Sequence, residues 1–231
     1  MIQAAIAYGL DGLVFTDHNR LIARERVEEL NFKYAPFRVF GGIEVSVQNE
    51  SEHVLVLGVH DPALESGRWT YPDLFAFVRG RGGYLALAHP FRYHDRIDFD
   101  IDRYPPDAVE VHSKNTGACD EPQIRVLVER LNLWPLHNSD AHRGKHVGIY
   151  YNRLGRTPRD ESELLQILKA GDYVCHGMEE RIAALNQEVE EREALIRRLI
   201  AEGRDGAYYR RITGNWVGHY DRVAMGRSYR I

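Results

Sequence analysis

The sequence predicts an α/β fold with a mainly parallel core. Three observations carry this. Short apolar runs alternate with longer amphipathic segments along most of the chain, a βα order. Aspartate, glutamate and histidine stand where those runs give way to loops, and in a barrel of parallel strands the chemistry gathers at the strand C-terminal ends. The length, 231 residues, suits one domain of α/β-barrel size, or one domain with an appendage.

Taken in order, residues 2–9 read as the end of a helix stopped by Gly9, and strand 12–16 follows. Residues 20–33 read as a helix with Leu21, Ile22, Val27 and Leu30 on one face among Arg and Glu. Strands near 38–44 and 53–59 are joined by the polar turn 48–52 and predict a hairpin. Leu74, Phe75, Phe77 and Val78 predict a helix ending at Gly80, before strand 84–88. Residues 91–105 read as a polar, aromatic loop. Strand 108–112, helix 121–132 and strand 134–138 come next. A capping box from Asp160 to Glu163 opens helix 160–170, Gly171 closes it, and strand 172–176 completes the βα series.

From about 178 the character changes. Residues 178–202 are dense in Glu, Arg, Ala and Leu, with Ile182, Leu185, Val189, Ile196 and Leu199 at 3-4 spacing broken by Arg192. One long amphipathic helix packed on the body is favoured over a short coiled coil, which needs more clean heptads. The segment 203–231 mixes arginines with Tyr208, Tyr209, Trp216, Tyr220 and Tyr229. Such a mixture serves protein interfaces or single-stranded nucleic acid, and docking or homo-oligomer contact is favoured. The expected organisation is therefore a barrel-like domain over 1–177 and a helical extension with its tail over 178–231.

Composition excludes several classes. Hydrophobic content of 44% and charged content of 28% are ordinary for a soluble globular protein. No apolar run is long enough to span a bilayer, and no signal-like core follows a basic start. Cys119 and Cys175 are far apart and outside any C-x-x-C pattern, which predicts a reduced, cytoplasmic setting. A net charge of −4 argues against a broad, sequence-independent grip on nucleic acid. It leaves room for a small phosphorylated substrate or nucleotide.

The chemistry-bearing segments form an ordered set. Thr16-Asp17-His18 closes one apolar run, Glu44 closes the next, His53 opens a Leu/Val strand, His89-Pro90 closes 84–88, and Ser139-Asp140-Ala141-His142 follows Trp134–His137. Carboxylate and imidazole are ligands for Zn, Mn or Fe. Any one of these residues alone reads as a hydrogen-bonded group at a strand end. The ordered set reads as a metal site.

Read together, these motifs resemble the PHP family, named for polymerase and histidinol phosphatase, over roughly residues 4–176. The resemblance implies a distorted (β/α)7 barrel binding two or three divalent ions, and a phosphoesterase that hydrolyses phosphomonoesters or nucleotides. It implies metal-ligand roles for His18, Glu44, His53, His89, Asp140 and His142, with Glu44 bridging two ions, His53 and His89 joining it, Asp140 serving the first ion, and His18 and His142 sharing a third. A carboxylate can bridge two ions roughly 3.5–4 Å apart that activate water and polarise phosphate. Arg92 could clamp a phosphate oxygen or be a solvated loop residue. Asp17 could orient ligands or cap its loop. His112 and Asn115 could line the pocket, His137 reads as a packed strand histidine, and His176 as either ligand or buried residue. The sequence offers no convincing side-chain nucleophile.

One departure is large. The family's first strand, bearing His-x-His ahead of Thr-Asp-His, has no counterpart, and no histidine precedes His18. On the family pattern the Glu44–His53–His89 site is complete, while the first and third sites each keep about two protein ligands. Three readings compete: an internal start within a longer protein, a gap filled by another subunit or the C-terminal helix, or a degenerate fold acting as a non-catalytic scaffold. Retention of all the other ligands favours the first. A chain complete as numbered is expected to have low activity. A barrel lacking a strand exposes two sheet edges that need cover.

Overall fold

The computed structural model describes residues 1–48, 50–92 and 94–231. Asn49, within the predicted turn, and Tyr93, within the predicted loop, lie outside the described residues. Six strands form one curled sheet in sequential order: β1 (Gly12–Phe15), β2 (Arg38–Val47), β3 (Glu52–Leu57), β4 (Tyr84–Ala88), β5 (Ala108–His112) and β6 (Trp134–His137). The result is a half-barrel. The pairs β1/β2, β4/β5 and β5/β6 are parallel, while β3 runs antiparallel to both neighbours. The 38–59 hairpin therefore forms as the sequence predicts.

The reversal of β3 decides where the chemistry sits. Glu44 lies near the end of β2 and His53 at the start of β3, opposite Ser46 on one side and Ala88 on the other. Because β3 runs downward, its first residue lies at the same end of the sheet as the last residues of its neighbours. Alternation then puts Phe40, Leu57 and Ala86 on the concave face, in a cluster with Ala108, Leu136 and Leu164. Ile43, Val45, Val54, Val56 and Leu85 occupy the convex face, under α3 (Tyr71–Arg79). Further helices cover that side: α1 (Ile2–Ala7) and α2 (Arg24–Tyr34) pack around Val39, and α4 (Glu121–Leu131) packs around Val109 and Val111. At Gly42 the sheet curls tightly, and an added Cβ would lie 2.3 Å from Leu57 Cδ2.

One strand differs from the sequence reading. The segment expected to complete the core, 172–176, is β8 (Tyr173–Gly177) and lies outside the six-stranded sheet. It pairs antiparallel with β7 (Tyr150–Leu154), a strand that the sequence analysis does not predict. The physical reason lies at the free edge of β6. There the side-chain amide of Asn152 donates to His137 O (2.8 Å) and accepts from His137 N (3.0 Å), taking the place of a neighbouring backbone. The hairpin thus joins β6 through a side chain.

Between them, α5 (Glu161–Ala170) begins at Asp160, whose carboxylate accepts from Glu163 N. The Glu163 carboxylate reaches back to Arg159 N, one residue before the cap. The long helix α6 spans Glu179–Ala201 without interruption at Arg192. The tail forms two further helices, α7 (Gly206–Thr213) and α8 (Val217–Ala224), which the sequence reading does not separate. Val189, Ile196, Leu199, Tyr209, Val223 and Tyr229 form their common core. The fully buried Asp120 ties this unit to the half-barrel, accepting from Arg222 at 2.8 Å and from Arg227. No helix among the described residues is long and apolar enough to cross a membrane.

Candidate metal centre

Local backbone structure brings the first two motifs together. The parallel ladder of β1 and β2 continues past the strand ends, with Glu44 N donating to Asp17 O (3.2 Å) and Asn19 N to Glu44 O (2.8 Å). A single bridge pairs His18 with Glu44. It is the backbone carbonyl of Asp17 that makes this junction. Among the described residues its exposed carboxylate makes no hydrogen bond.

The buried carboxylate of Glu44 is the focus. Its Oε1 lies 2.6 Å from His53 Nδ1, 3.1 Å from His89 Nε2 and 3.7 Å from His18 Nδ1. Burial pushes this carboxyl up, but the hydrogen bonds from His53 and His89 and the charges of His89 and His18 outweigh it and hold it well below the usual range. Donor atoms of His18, Glu44 and His53 all lie within 4.8 Å of one another. Such a nitrogen and oxygen set, converging from three strand ends and half open at His18, fits a borderline divalent ion.

Asp140 and His142 stand beside this group. The His142 ring lies 5.8 Å from that of His18, and its Nδ1 is 3.6 Å from Asp140 Oδ1. Asn115 donates its amide to the other Asp140 oxygen. His89 and Asp140 both adopt positive φ, 25° and 43°, an uncommon conformation for residues with side chains that recurs at functional sites.

Beneath them lies Glu110, fully buried, a residue the sequence analysis assigns no role. One oxygen accepts from His89 N (2.9 Å) and the other from Asn138 Nδ2 (3.0 Å). Burial, then the Asp140 carboxylate, raises its pKa. The sequence does carry a signal for it: a lone carboxylate inside the apolar run 108–111.

Other expected residues lie to one side. Arg92 faces the ring of Trp216 at 4.5 Å, and its carbonyl accepts from Arg222 (3.2 Å). His112 pairs with Glu121 (3.6 Å), stacks on Tyr150 and meets His137 edge-on at 4.5 Å. His176 stacks on Tyr151, with its buried Nε2 unpartnered among the described residues. The side chains of Ser139 and Cys175 are engaged in hydrogen bonds of their own. Ser139 Oγ accepts from Gly148 N and donates to Tyr150 O, and burial pushes the Cys175 thiol up to about 11.

The fold is similar to that of several solved structures. The chain resembles PsfC from Pseudomonas syringae, with a TM-score of 0.60 at 20% identity over 78% of this chain and 82% of that one. A "putative metal-dependent phosphoesterase" from Bifidobacterium adolescentis gives a TM-score of 0.51 at 15% identity, over 72% and 88%. An amidohydrolase from Chromobacterium violaceum, with bound sulfate and no metal, gives 0.51 at 18% identity, over 75% and 90%. At these identities the likeness is one of fold. No family model and no curated protein matches the sequence.

Proposed function

We propose that this chain is a divalent-metal-dependent phosphoesterase that hydrolyses small phosphate esters with water as the nucleophile. One observation carries the reading: three imidazoles from separate strand ends converge on a single buried carboxylate oxygen of Glu44. Two of these imidazoles would satisfy the buried carboxylate by hydrogen bonding, and the third, with a donor atom within ligand range of the others, makes the set one that could hold a cation. The phosphoesterase neighbour shares the fold, and the sulfate of the amidohydrolase neighbour shows a tetrahedral anion bound to a protein of that fold.

In this reading Glu44, His53, His89 and His18 hold the ion, with Asp140 and His142 as further ligands alongside. Zn, Mn and Fe all suit these donors. An ion held there would supply Lewis acidity to a phosphoryl oxygen and would lower the pKa of a bound water. Glu110 fixes His89 through its backbone N–H and steadies Asn138, so the two strand exits keep their spacing. Arg92, set by Trp216, offers a guanidinium to a phosphate oxygen. No side chain needs to become covalently bound.

The test is elemental analysis of the purified chain together with phosphatase assays on nucleotide and sugar-phosphate panels, with added Mn or Zn. Bound metal and turnover are expected. Glu44→Gln should lose both, with activity down at least about a hundredfold. Absence of metal and of turnover would favour a scaffold built on the same fold.

A further inference from the structure

The loop that carries Asp140 and His142 is held in shape by the first turn of α6. Among the described residues, 138–149 join β6 to β7 without a strand or α-helix of their own. Their backbone groups therefore need partners from elsewhere. Three alternate carbonyls find them at the start of α6. Arg181 donates from Nη2 to Lys145 O (2.7 Å) and from Nη1 to Val147 O (2.8 Å). Met178 N donates to Ile149 O (2.8 Å). The guanidinium is itself fixed, lying over the Tyr8 ring at 3.6 Å from its centroid and reaching Met178 Sδ at 3.2 Å.

A short path leads from this clamp to the candidate metal centre. Gly148, the residue after Val147, donates its N–H to Ser139 Oγ (2.6 Å), and the same hydroxyl donates to Tyr150 O (3.1 Å). Ser139 thus closes the loop on itself, and Asp140 is the next residue. Asp140 sits at φ 43°, a conformation that its surroundings must hold. On the other side, Ala141 and Val147 pack into the apolar cluster of Ile2, Ala5 and Leu13. The loop is gripped between α1 and α6, and it brings the His142 ring within 5.8 Å of that of His18. A second tether, Lys145 to Glu188 at 2.9 Å, is about half exposed at both ends and contributes little.

We propose that Arg181 is the positioning residue of the Asp140–His142 loop: by holding the carbonyls of Lys145 and Val147 it keeps both side chains beside His18. The planar guanidinium suits this task, because its two arms span two carbonyls at once where an ammonium offers a single point. The C-terminal helical unit is then part of the site rather than an appendage to it, since its first turn sets where two of the candidate ligands stand. This rests on the metal-dependent reading above for what those two side chains do, though not for how they are placed.

The test uses the full chain, first without metal. Amide hydrogen exchange across 139–149 should quicken at least about tenfold in Arg181→Gln, while the amides of β2 and β3 keep the wild-type rate. Arg181→Lys should recover part of the protection. Arg198→Gln, which removes a guanidinium from an exposed pair with Glu202 on the same helix, should leave the loop as it is. Calorimetric titration with Mn then reads the metal centre. Arg181→Gln should bind Mn about ten- to a hundredfold more weakly, with Arg181→Lys between it and the wild type. A merely structural role would lower the urea midpoint and leave the Mn affinity of the folded chain unchanged. That result, unchanged exchange in 139–149, or equal quickening in Arg198→Gln would overturn the proposal. Faster exchange in Arg181→Gln, in a chain whose wild type binds no Mn, would instead remove the phosphoesterase reading and leave the placement of the loop by Arg181 standing.

Discussion

At the scale of single residues, Glu44 and Glu110 behave as two different acids. Glu44 is surrounded by imidazoles that stabilise its charge, and Glu110 by burial and another carboxylate that oppose it. Glu44 is therefore held charged among its imidazoles, while Glu110 accepts from His89 N and the Asn138 amide. Glu110→Ala should lower metal affinity about ten- to a hundredfold, because His89 N and Asn138 lose their acceptor. Metal titration of that variant checks this, and unchanged affinity would show that His89 needs no such support. The place of Glu44 among the strand exits is legible in the sequence, because it closes an apolar run in an ordered series with His18, His53 and His89. That of Glu110 is not, since a carboxylate inside a strand gives no hint of which backbone N–H it will meet.

At the scale of elements, the outer edge of β6 is the informative case. Asn152 satisfies both His137 backbone groups with one side chain, so that β7 and β8 can sit beside β6 without extending the sheet. Asn152→Ala should destabilise the fold by about 1–3 kcal/mol, the cost of leaving partly buried backbone groups unsatisfied. Urea denaturation measures this, and Asn152→Asp should recover little, because it lacks the donor for His137 O. The sequence marks 172–176 correctly as a strand but does not name its partner. The run Tyr150–Leu154 alternates weakly, with Asn152 and Arg153 interrupting it, so periodicity alone does not reveal the hairpin.

At the scale of the molecule, the half-barrel and the C-terminal helices are held together by Asp120, Arg222 and Arg227. Asp120→Ala leaves a buried guanidinium without its counter-ion and should cost about 3–5 kcal/mol of stability. A loss below about 1 kcal/mol in urea unfolding would show that the apolar core around Tyr209 suffices alone. Acid should weaken the fold through His219. Burial, then Lys114, Arg192, Arg92 and Arg222, push its pKa down to about 3. The unfolded chain takes up a proton near the ordinary value of 6.5, and the folded one does not. Stability is therefore complete above about pH 6.5 and falls as pH drops toward 3, by at most about 1.4 kcal/mol per unit. His137, lowered to about 4 by burial and His112, acts in the same direction. Urea midpoints at pH 7.5 and 5 test this, and His219→Gln should flatten the profile.

What the sequence by itself determined is local. Apolar runs, caps and turn residues specify strands, helices and the 38–59 hairpin, because period and capping act over a few residues. The ordered Asp, Glu and His motifs mark the strand exits for the same reason, each tied to the end of its own strand. Only the tertiary structure decided which of these residues meet. The antiparallel course of β3 carries His53 to Glu44, the Asn152 amide sends β8 outside the main sheet, and the ion pairs at Asp120 tie the C-terminal helices to the half-barrel. Each depends on contacts between residues far apart in the chain, whose formation rests on the packing of the whole fold rather than on any local preference.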